Sequence, residues 1–195
     1  MGLGRQAKTL TKHQQAAMLM YIETTRHALR NKLIFLLSVR AGLRAKEIAS
    51  ITWGMVTDAQ GQIADCITLE NTASKGKSGG VIWLNKELKQ ILSEYRDLCN
   101  NVSVSDKIIK TERGKETSAQ VIVNMFTIWY TKMGFNGCSS HSGRRTFITN
   151  AARKISTVGG SMRDVQMLAR HSSLQMTQRY IEADVEAQKK VVQVI

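Results

Sequence analysis

Six side chains, spread over four segments of the sequence, could act together on a phosphodiester. Arg44 and Arg144 can each present a planar donor fork to the non-bridging oxygens of a phosphate. His141 stands three residues before Arg144, so one helix face can offer both to the same phosphate. Tyr180 is unreactive as a phenol, with a reference pKa of about 10, and needs cationic neighbours or a base to attack. His141 or His171 could serve as that base. Lys75 sits in the run Ser74-Lys75-Gly76-Lys77-Ser78-Gly79-Gly80, whose glycines allow it to swing over and donate a proton to a leaving oxygen. No metal is required by this set, and the missing carboxylate pair argues against a two-metal nuclease.

These residues must be positioned by a largely helical chain. Thr11 can cap a first helix carrying Ala16, Leu19 and Met20. Leu29, Leu33, Leu36 and Leu37 recur at helical spacing, and Gly42 is placed to end that helix. A short helix over Leu43 to Ile51 would carry Arg44 and Glu47. Ile63, Ile67 and Leu69 then read as strand and Val81 to Leu84 as another, joined by the glycine-rich run into a hairpin. Leu88, Ile91, Leu92, Tyr95 and Leu98 mark the next helix, and Val121, Met125, Ile128 and Trp129 another, capped by Ser118. A helix from Ser139 to about Ile155 would carry His141 and Arg144. Ser161-x-x-Asp164 is a capping box opening a helix to Ala169, and Ser173 caps a last pair of turns that include Tyr180. The expectation is a mostly α fold with one small antiparallel β-sheet, an α+β class.

Composition fits this reading. The 195 residues hold 28 Lys+Arg against 15 Asp+Glu, a net charge of +13, of which +7 falls in residues 1–50. Such a field attracts polyanions, with nucleic acid the commonest partner. The charges are spread along structured segments rather than gathered in a tail. Proline is absent, which excludes stiff Pro-rich linkers and favours continuous helices. The three cysteines make no CxxC and suit reduced thiols, so the cytoplasm, on DNA, is the expected location. No stretch reaches the roughly 20 apolar residues of a membrane span. Gly76-Lys77-Ser78 imitates the end of a P-loop, but Asn71 stands where that motif needs glycine, and a strand rather than a helix follows.

Four segments, in this order, carry a further signal: Gly42-Leu43-Arg44-x-x-Glu47; the hairpin lysine; His141-x-x-Arg144; and Leu168-x-x-His171-Ser172 with Tyr180 nine residues after the histidine. Together they resemble the catalytic domain of the tyrosine recombinase (phage integrase) family over about residues 10 to 185. Singly, each residue would pass for a surface ion pair, a structural histidine, a half-buried tyrosine or a solvated turn lysine. The joint, ordered match is the specific part.

The resemblance implies a tyrosine recombinase catalytic-domain fold and a site-specific recombinase that cleaves and rejoins DNA without metal or ATP. Tyr180 would attack the scissile phosphate, form a 3′-phosphotyrosyl link and release a 5′-hydroxyl. Arg44, Lys75, His141, Arg144 and His171 would complete the site, with Lys75 as general acid and Glu47 supporting Arg44. Lys77 is the rival for the hairpin role; Lys75 is preferred because it directly precedes Gly76. Lys46, Lys77 and Arg145 are expected to contact DNA. Arg145 stands where many relatives have a second histidine, and Gly159-Gly160 marks an apparent insert before His171.

The resemblance also implies double-stranded DNA as partner and a tetramer on paired sites. The C-terminal apolar stripe, Ile181, Val185, Val192 and Ile195, would let the tail, 183–195, either dock in trans on a neighbouring protomer or pack on its own domain. The chain is expected to be a single catalytic domain, with a core at about 10–182. No N-terminal core-binding domain of about 100 residues is expected within these 195 residues. Either the enzyme is naturally minimal, like the fimbrial inversion recombinases, or the chain lacks its partner domain. Two other readings use the same residues: a type IB-like DNA-relaxing enzyme, and a DNA-binding regulator that kept the fold and lost the chemistry. The intact set of six side chains argues against the second.

Overall fold

The computed structural model of this protein describes residues 6–70, 79–111, 116–181 and 185–193. The chain divides into two compact units, residues 1–147 and 148–195.

In the first unit, Thr11 opens α1 (Lys12–Glu23) through a reciprocal capping box. Its hydroxyl accepts from Gln14 N (3.1 Å), and the Gln14 side chain accepts from Thr11 N (3.0 Å). The leucine-rich helix α2 (Ala28–Ala41) is buried on nearly every side, as an all-round apolar helix must be, and forms the centre of the core. It packs on α1, on α3 (Ala45–Ser50) and on α4 (Lys86–Leu98). Asn85 caps α4, and Leu88, Ile91, Leu92 and Tyr95 form its buried face at the expected spacing. Helix α5 (Ala119–Lys132), capped by Ser118, packs on α3 through Ile122, Phe126, Trp129 and Tyr130. Phe126 lies at the hub of its aromatic contacts, stacked on Tyr130 at 5.8 Å and edge-on to Trp129 at 5.4 Å.

The sheet has two antiparallel strands, β1 (Cys66–Leu69) and β2 (Gly80–Trp83), in the register Cys66↔Trp83 to Leu69↔Gly80. Ile67, Leu69 and Ile82 face the core, while Thr68, Val81 and Trp83 face out. The mostly α fold with one small antiparallel sheet is therefore as the sequence led one to expect. Two local expectations are corrected, and one segment pairs where the sequence shows no pattern. Ile63 lies outside the strand, in an isolated bridge to Thr57. Residues Thr52 to Met55 and the segment after α4 pair their backbones, through Gly54 N to Val104 O (2.7 Å), Trp53 N to Asp106 O (3.0 Å) and Ile108 N to Ile51 O (2.9 Å). That irregular pairing buries Trp53, Ile108 and Ile109 without any periodic pattern. Finally, the expected helix from Ser139 starts later, as α6 (Ser142–Lys154). Ser139 to His141 instead form the turn that caps it, with Ser139 N donating to the Ser142 hydroxyl at 2.9 Å. The first unit ends within α6, at Phe147.

In the second unit, α6 runs into a 3-10 turn, Ile155–Val158, closed by Gly159 at φ 77°. The predicted capping box opens α7 (Met162–Ala169): Asp164 accepts from Ser161 N at 2.7 Å and from its hydroxyl at 2.8 Å. Helix α8 (Leu174–Gln178) follows, capped by Ser173 and packed on α7. It stops short of Tyr180, which sits in the turn beyond it rather than in the helix. The last element is α9 (Val185–Val192). Among the described residues, no helix is long and apolar enough to cross a membrane.

Candidate active site

In the first unit, the Gly42 segment and the His141 segment are built onto each other. Helix α2 ends because Gly42 adopts the left-handed conformation (φ 65°), which turns the chain so that Leu43 N reaches Leu37 O at 3.1 Å. The turn exposes the Gly42 carbonyl to Arg144, whose Nη1 donates to it at 2.6 Å in a buried site. A Cβ on Gly42 would lie 2.5 Å from Phe147 Cδ1, so the glycine also makes room for that ring. Arg144 is 3% exposed.

Arg44 stands at the N-cap of α3 in extended backbone conformation. Its Nη1 donates to Glu47 Oε1 (2.8 Å), and its backbone N–H donates to Oε2 (2.8 Å). Glu47 is fully buried, while the Arg44 side chain keeps 27% exposure. One carboxylate thus fixes both the helix start and the guanidinium, leaving that guanidinium's remaining donors for a ligand.

His141 is exposed in the turn ahead of α6, one residue before the helix on which it was expected. Its backbone N–H donates to the Ser139 hydroxyl at 3.3 Å. Thr146 holds α6 against the N-terminal segment, donating to Ser142 O (2.7 Å) and accepting from Leu10 N (2.8 Å). Beside this turn, burial pushes the Cys138 thiol above its ordinary pKa, opposed by the Ser142 hydrogen bond and the Lys8 charge. Lys46 is exposed on α3. Arg145 is half-buried and hydrogen-bonded through Nη1 to the Gln6 side chain. Lys75 and Lys77 lie outside the described residues.

The second unit holds His171 and Tyr180. Helix α7 ends at Arg170 in the left-handed region (φ 51°), which returns His171 N to Gln166 O at 3.1 Å. Gln166 Nε2 in turn donates to His171 O at 3.0 Å. The buried imidazole places Nδ1 3.0 Å from the Thr177 hydroxyl. It also stacks on the Tyr180 ring, with centroids 5.2 Å apart and planes inclined by 29°. Tyr180 is held through its backbone: its N–H donates to Thr177 O (3.0 Å), and its carbonyl accepts from the Thr149 hydroxyl (3.1 Å). The ring itself is half-buried.

Sequence reasoning named His171 and Tyr180 but gave no role to Gln166, Thr149 or Thr177. The only sequence signal was the place of Thr177 inside the same motif, six residues after His171 and three before Tyr180.

Comparison with known proteins now decides the family. The sequence profile of the phage integrase family matches residues 8–187, nearly the whole chain. The protein belongs to the phage integrase family. Among its curated relatives is the tyrosine recombinase XerC of Leptospira interrogans serogroup Icterohaemorrhagiae serovar copenhageni (strain Fiocruz L1-130). It is 30% identical over 128 residues, which are 64% of this chain and 40% of the relative. The fold is shared with solved recombinase structures. A crystal structure of XerA recombinase superposes with a TM-score of 0.73 at 21% identity, covering 95% of this chain and 64% of that one. XerH site-specific recombinase, bound to a palindromic difH substrate in a post-cleavage complex, gives 0.74 at 16% identity, covering 99% and 54%. The chain thus spans about 40% of the length of the curated relatives it matches.

Proposed function

We propose that this chain is the catalytic part of a site-specific recombinase that breaks and rejoins DNA strands through a 3′-phosphotyrosyl intermediate. The observation that carries this reading is that every reactive box expected of the family falls inside the matched span, 8–187, with its reactive side chain intact: Arg44, Lys75, His141, Arg144, His171 and Tyr180.

The chemistry follows from the residues. The Tyr180 phenol oxygen attacks phosphorus, its proton passing to His141 or His171. A bond forms between that oxygen and phosphorus, and the bond from phosphorus to the 5′ oxygen breaks. Lys75 supplies the proton that the leaving 5′ oxygen needs. Arg44 and Arg144 carry the charge that builds on the equatorial oxygens, a task for preorganised donors. Support comes from the Glu47 carboxylate beneath Arg44 and the Gly42 carbonyl beneath Arg144, which hold both guanidiniums before substrate arrives. The phosphotyrosyl ester keeps the energy of the broken bond, so attack by another 5′-hydroxyl rejoins DNA without ATP. Metal chelators therefore leave the reaction unchanged.

Double-stranded DNA is the substrate, in keeping with the +13 net charge. Lys46, Lys77 and Arg145 contribute backbone contacts. Strand exchange takes place in a tetramer on paired sites. The exposed apolar side chains Ile181 and Val192 near the C-terminus support docking of the tail on a neighbouring protomer.

The test is covalent capture from a randomised library of nicked duplexes, in which the cleaved end diffuses away. The wild type should yield an SDS-resistant, protease-sensitive protein–DNA adduct, and Tyr180→Phe none. Binding without an adduct would mark the chain as a regulator that lost the chemistry. Relaxation of any supercoiled plasmid, without a selected site, would mark a type IB-like enzyme.

A further inference from the structure

We propose that Gln15 is a positioning residue for Arg144: its side-chain amide ties the end of α2 to the first turns of α6 and closes a ring of hydrogen bonds in which the Arg144 guanidinium is one member. The inference deepens the proposed function, on which its effect on cleavage rests; the ring itself stands on hydrogen-bond geometry within the first unit.

Gln15 lies on the buried side of α1, and a buried amide is tolerated only where its donor and acceptor are both met. Its Oε1 accepts from Arg40 Nη1 at 2.7 Å, and its Nε2 donates to Leu10 O at 3.1 Å. A guanidinium can only donate and a carbonyl can only accept, so one orientation of the amide satisfies both partners. Arg40 stands in the last turn of α2 and is held from its other side as well. Its Nε donates at 2.7 Å to Glu87 Oε2, in the first turn of α4. The guanidinium that Gln15 grips is therefore a fixed point, set by two helices other than α1.

From each end of Gln15 a short path leads to Arg144. On one side, Arg40 stands two residues before Gly42, whose carbonyl accepts from Arg144 Nη1 at 2.6 Å. On the other, Leu10 donates its N–H to Thr146 Oγ1 at 2.8 Å, and the same hydroxyl donates to Ser142 O at 2.7 Å. Ser142 and Thr146 flank Arg144 on α6, two residues away on either side. Arg144 is thus braced at its guanidinium through Gly42 and at its backbone through Thr146. Gln15 joins the two braces, so the end of α2 and the start of α6 keep one spacing. Without that link, the Gly42 bond alone would have to hold the spacing while the same guanidinium also binds a phosphate. Misplacing a reacting group by about 1 Å costs on the order of 100-fold in rate, so a loosened brace appears in the chemical step before it appears in affinity.

The test measures single-turnover adduct formation by the full chain at saturating nicked duplex, together with DNA affinity, Tm and hydrogen exchange at the Leu10 amide. Gln15→Met keeps the bulk and loses both bonds; it should slow adduct formation by about tenfold with DNA affinity unchanged. Gln15→Glu keeps the Arg40 bond but sets a carboxylate oxygen against Leu10 O, and should be slow as well. Thr146→Val should match Gln15→Met, and Thr146→Ser, which keeps the hydroxyl, should restore most of the rate. The double variant Gln15→Met/Thr146→Val should be no slower than the slower single one, because both open the same ring. Ile91→Val, a core change elsewhere, should lower Tm without slowing cleavage. A Gln15→Met protein that loses stability yet cleaves at the wild-type rate, or single effects that multiply in the double variant, overturns the proposal; if Gln15→Met does not fold, Gln15→Glu carries the same test. If the wild type forms no adduct at all, the proposed function fails, and exchange at Leu10 still decides the ring: faster in Gln15→Glu supports it, unchanged refutes it.

Discussion

Replacing Gly143 with alanine should destabilise this protein, although alanine is the better helix former. Gly143 lies in the first turn of α6, against Ser38 in the last turn of α2. A Cβ added there would land on the Ser38 hydroxyl oxygen, 2.8 Å from Ser38 Cβ and 3.1 Å from its backbone carbonyl carbon. The hydroxyl can rotate away; the Cβ and the backbone cannot. Overpacking against such rigid atoms costs about 3 kcal/mol, the upper part of the usual range. Helix propensity returns at most about 1 kcal/mol. The net loss is about 2 kcal/mol, and for a chain of this length that lowers Tm by about 4–8 °C. Relief should come through Ser38→Gly, which removes both the hydroxyl and the Cβ and leaves only the 3.1 Å approach. A double-mutant cycle by thermal and urea unfolding should show Gly143→Ala and Ser38→Gly coupled by about 1–2 kcal/mol. Gly143→Ala should also slow DNA cleavage, because the next residue is Arg144, whose 2.6 Å bond to Gly42 O depends on where α6 begins. A Gly143→Ala variant with wild-type Tm and no coupling to Ser38 would refute the close approach of α2 and α6.

Four other perturbations probe separate parts of the structure. Glu47→Ala removes a fully buried carboxylate from the backbone N–H and the guanidinium of Arg44, and should cost about 2 kcal/mol in urea unfolding, with Glu47→Gln milder. The Ser161 backbone N–H and hydroxyl hold the Asp164 carboxyl below its ordinary pKa. A depressed native value stabilises above the unfolded pKa and fades as pH falls through the native one, so this cap should persist at pH 5 and be lost in acid; Ser161→Ala should raise the Asp164 midpoint in a carbon-detected NMR titration. The Cys138 thiol, raised by burial, should react with iodoacetamide along a pH profile displaced upward from that of a free thiol, and a profile at or below the ordinary value would contradict its burial. DNA affinity should fall linearly on a log–log plot against salt; a flat response would count against phosphate-dominated binding.

What the sequence reveals depends on how local the cause is. The helices α2, α4 and α5 are legible because one face must be apolar, and that demand repeats every three to four residues. The Ser161–Asp164 box and the Gly42 terminus are legible because the partners lie within a few residues of each other. The stretch 104–109 after α4 escapes this reasoning. It is ordered by backbone pairing with Thr52 to Met55, about fifty residues away, and burial of Trp53, Ile108 and Ile109 there follows no period. The start of α6 is not legible in sequence because Ser139, Ser140 and Ser142 can all cap a helix, and only the 2.9 Å bond from Ser139 N to the Ser142 hydroxyl selects the first turn.

The candidate site divides in the same way. Arg44 and Glu47 are readable as an i, i+3 pair, and Arg144, His171 and Tyr180 stand out through their chemistry and order. The partners that orient them do not. Gly42 serves Arg144 through its carbonyl, which carries no sequence information. Gly143 is glycine because of Ser38, which faces it from another helix. Thr177 is an ordinary helix residue until its hydroxyl is seen 3.0 Å from an imidazole nitrogen.

The most direct measurement is the mass of the peptide that stays attached to DNA after covalent capture and trypsin digestion. The account predicts a nucleotide joined through a 3′ phosphate to the phenol oxygen of Tyr180, with a free 5′-hydroxyl on the other DNA end. Attachment to Tyr21, Tyr95 or Tyr130, or a 5′-linked nucleotide, would contradict it.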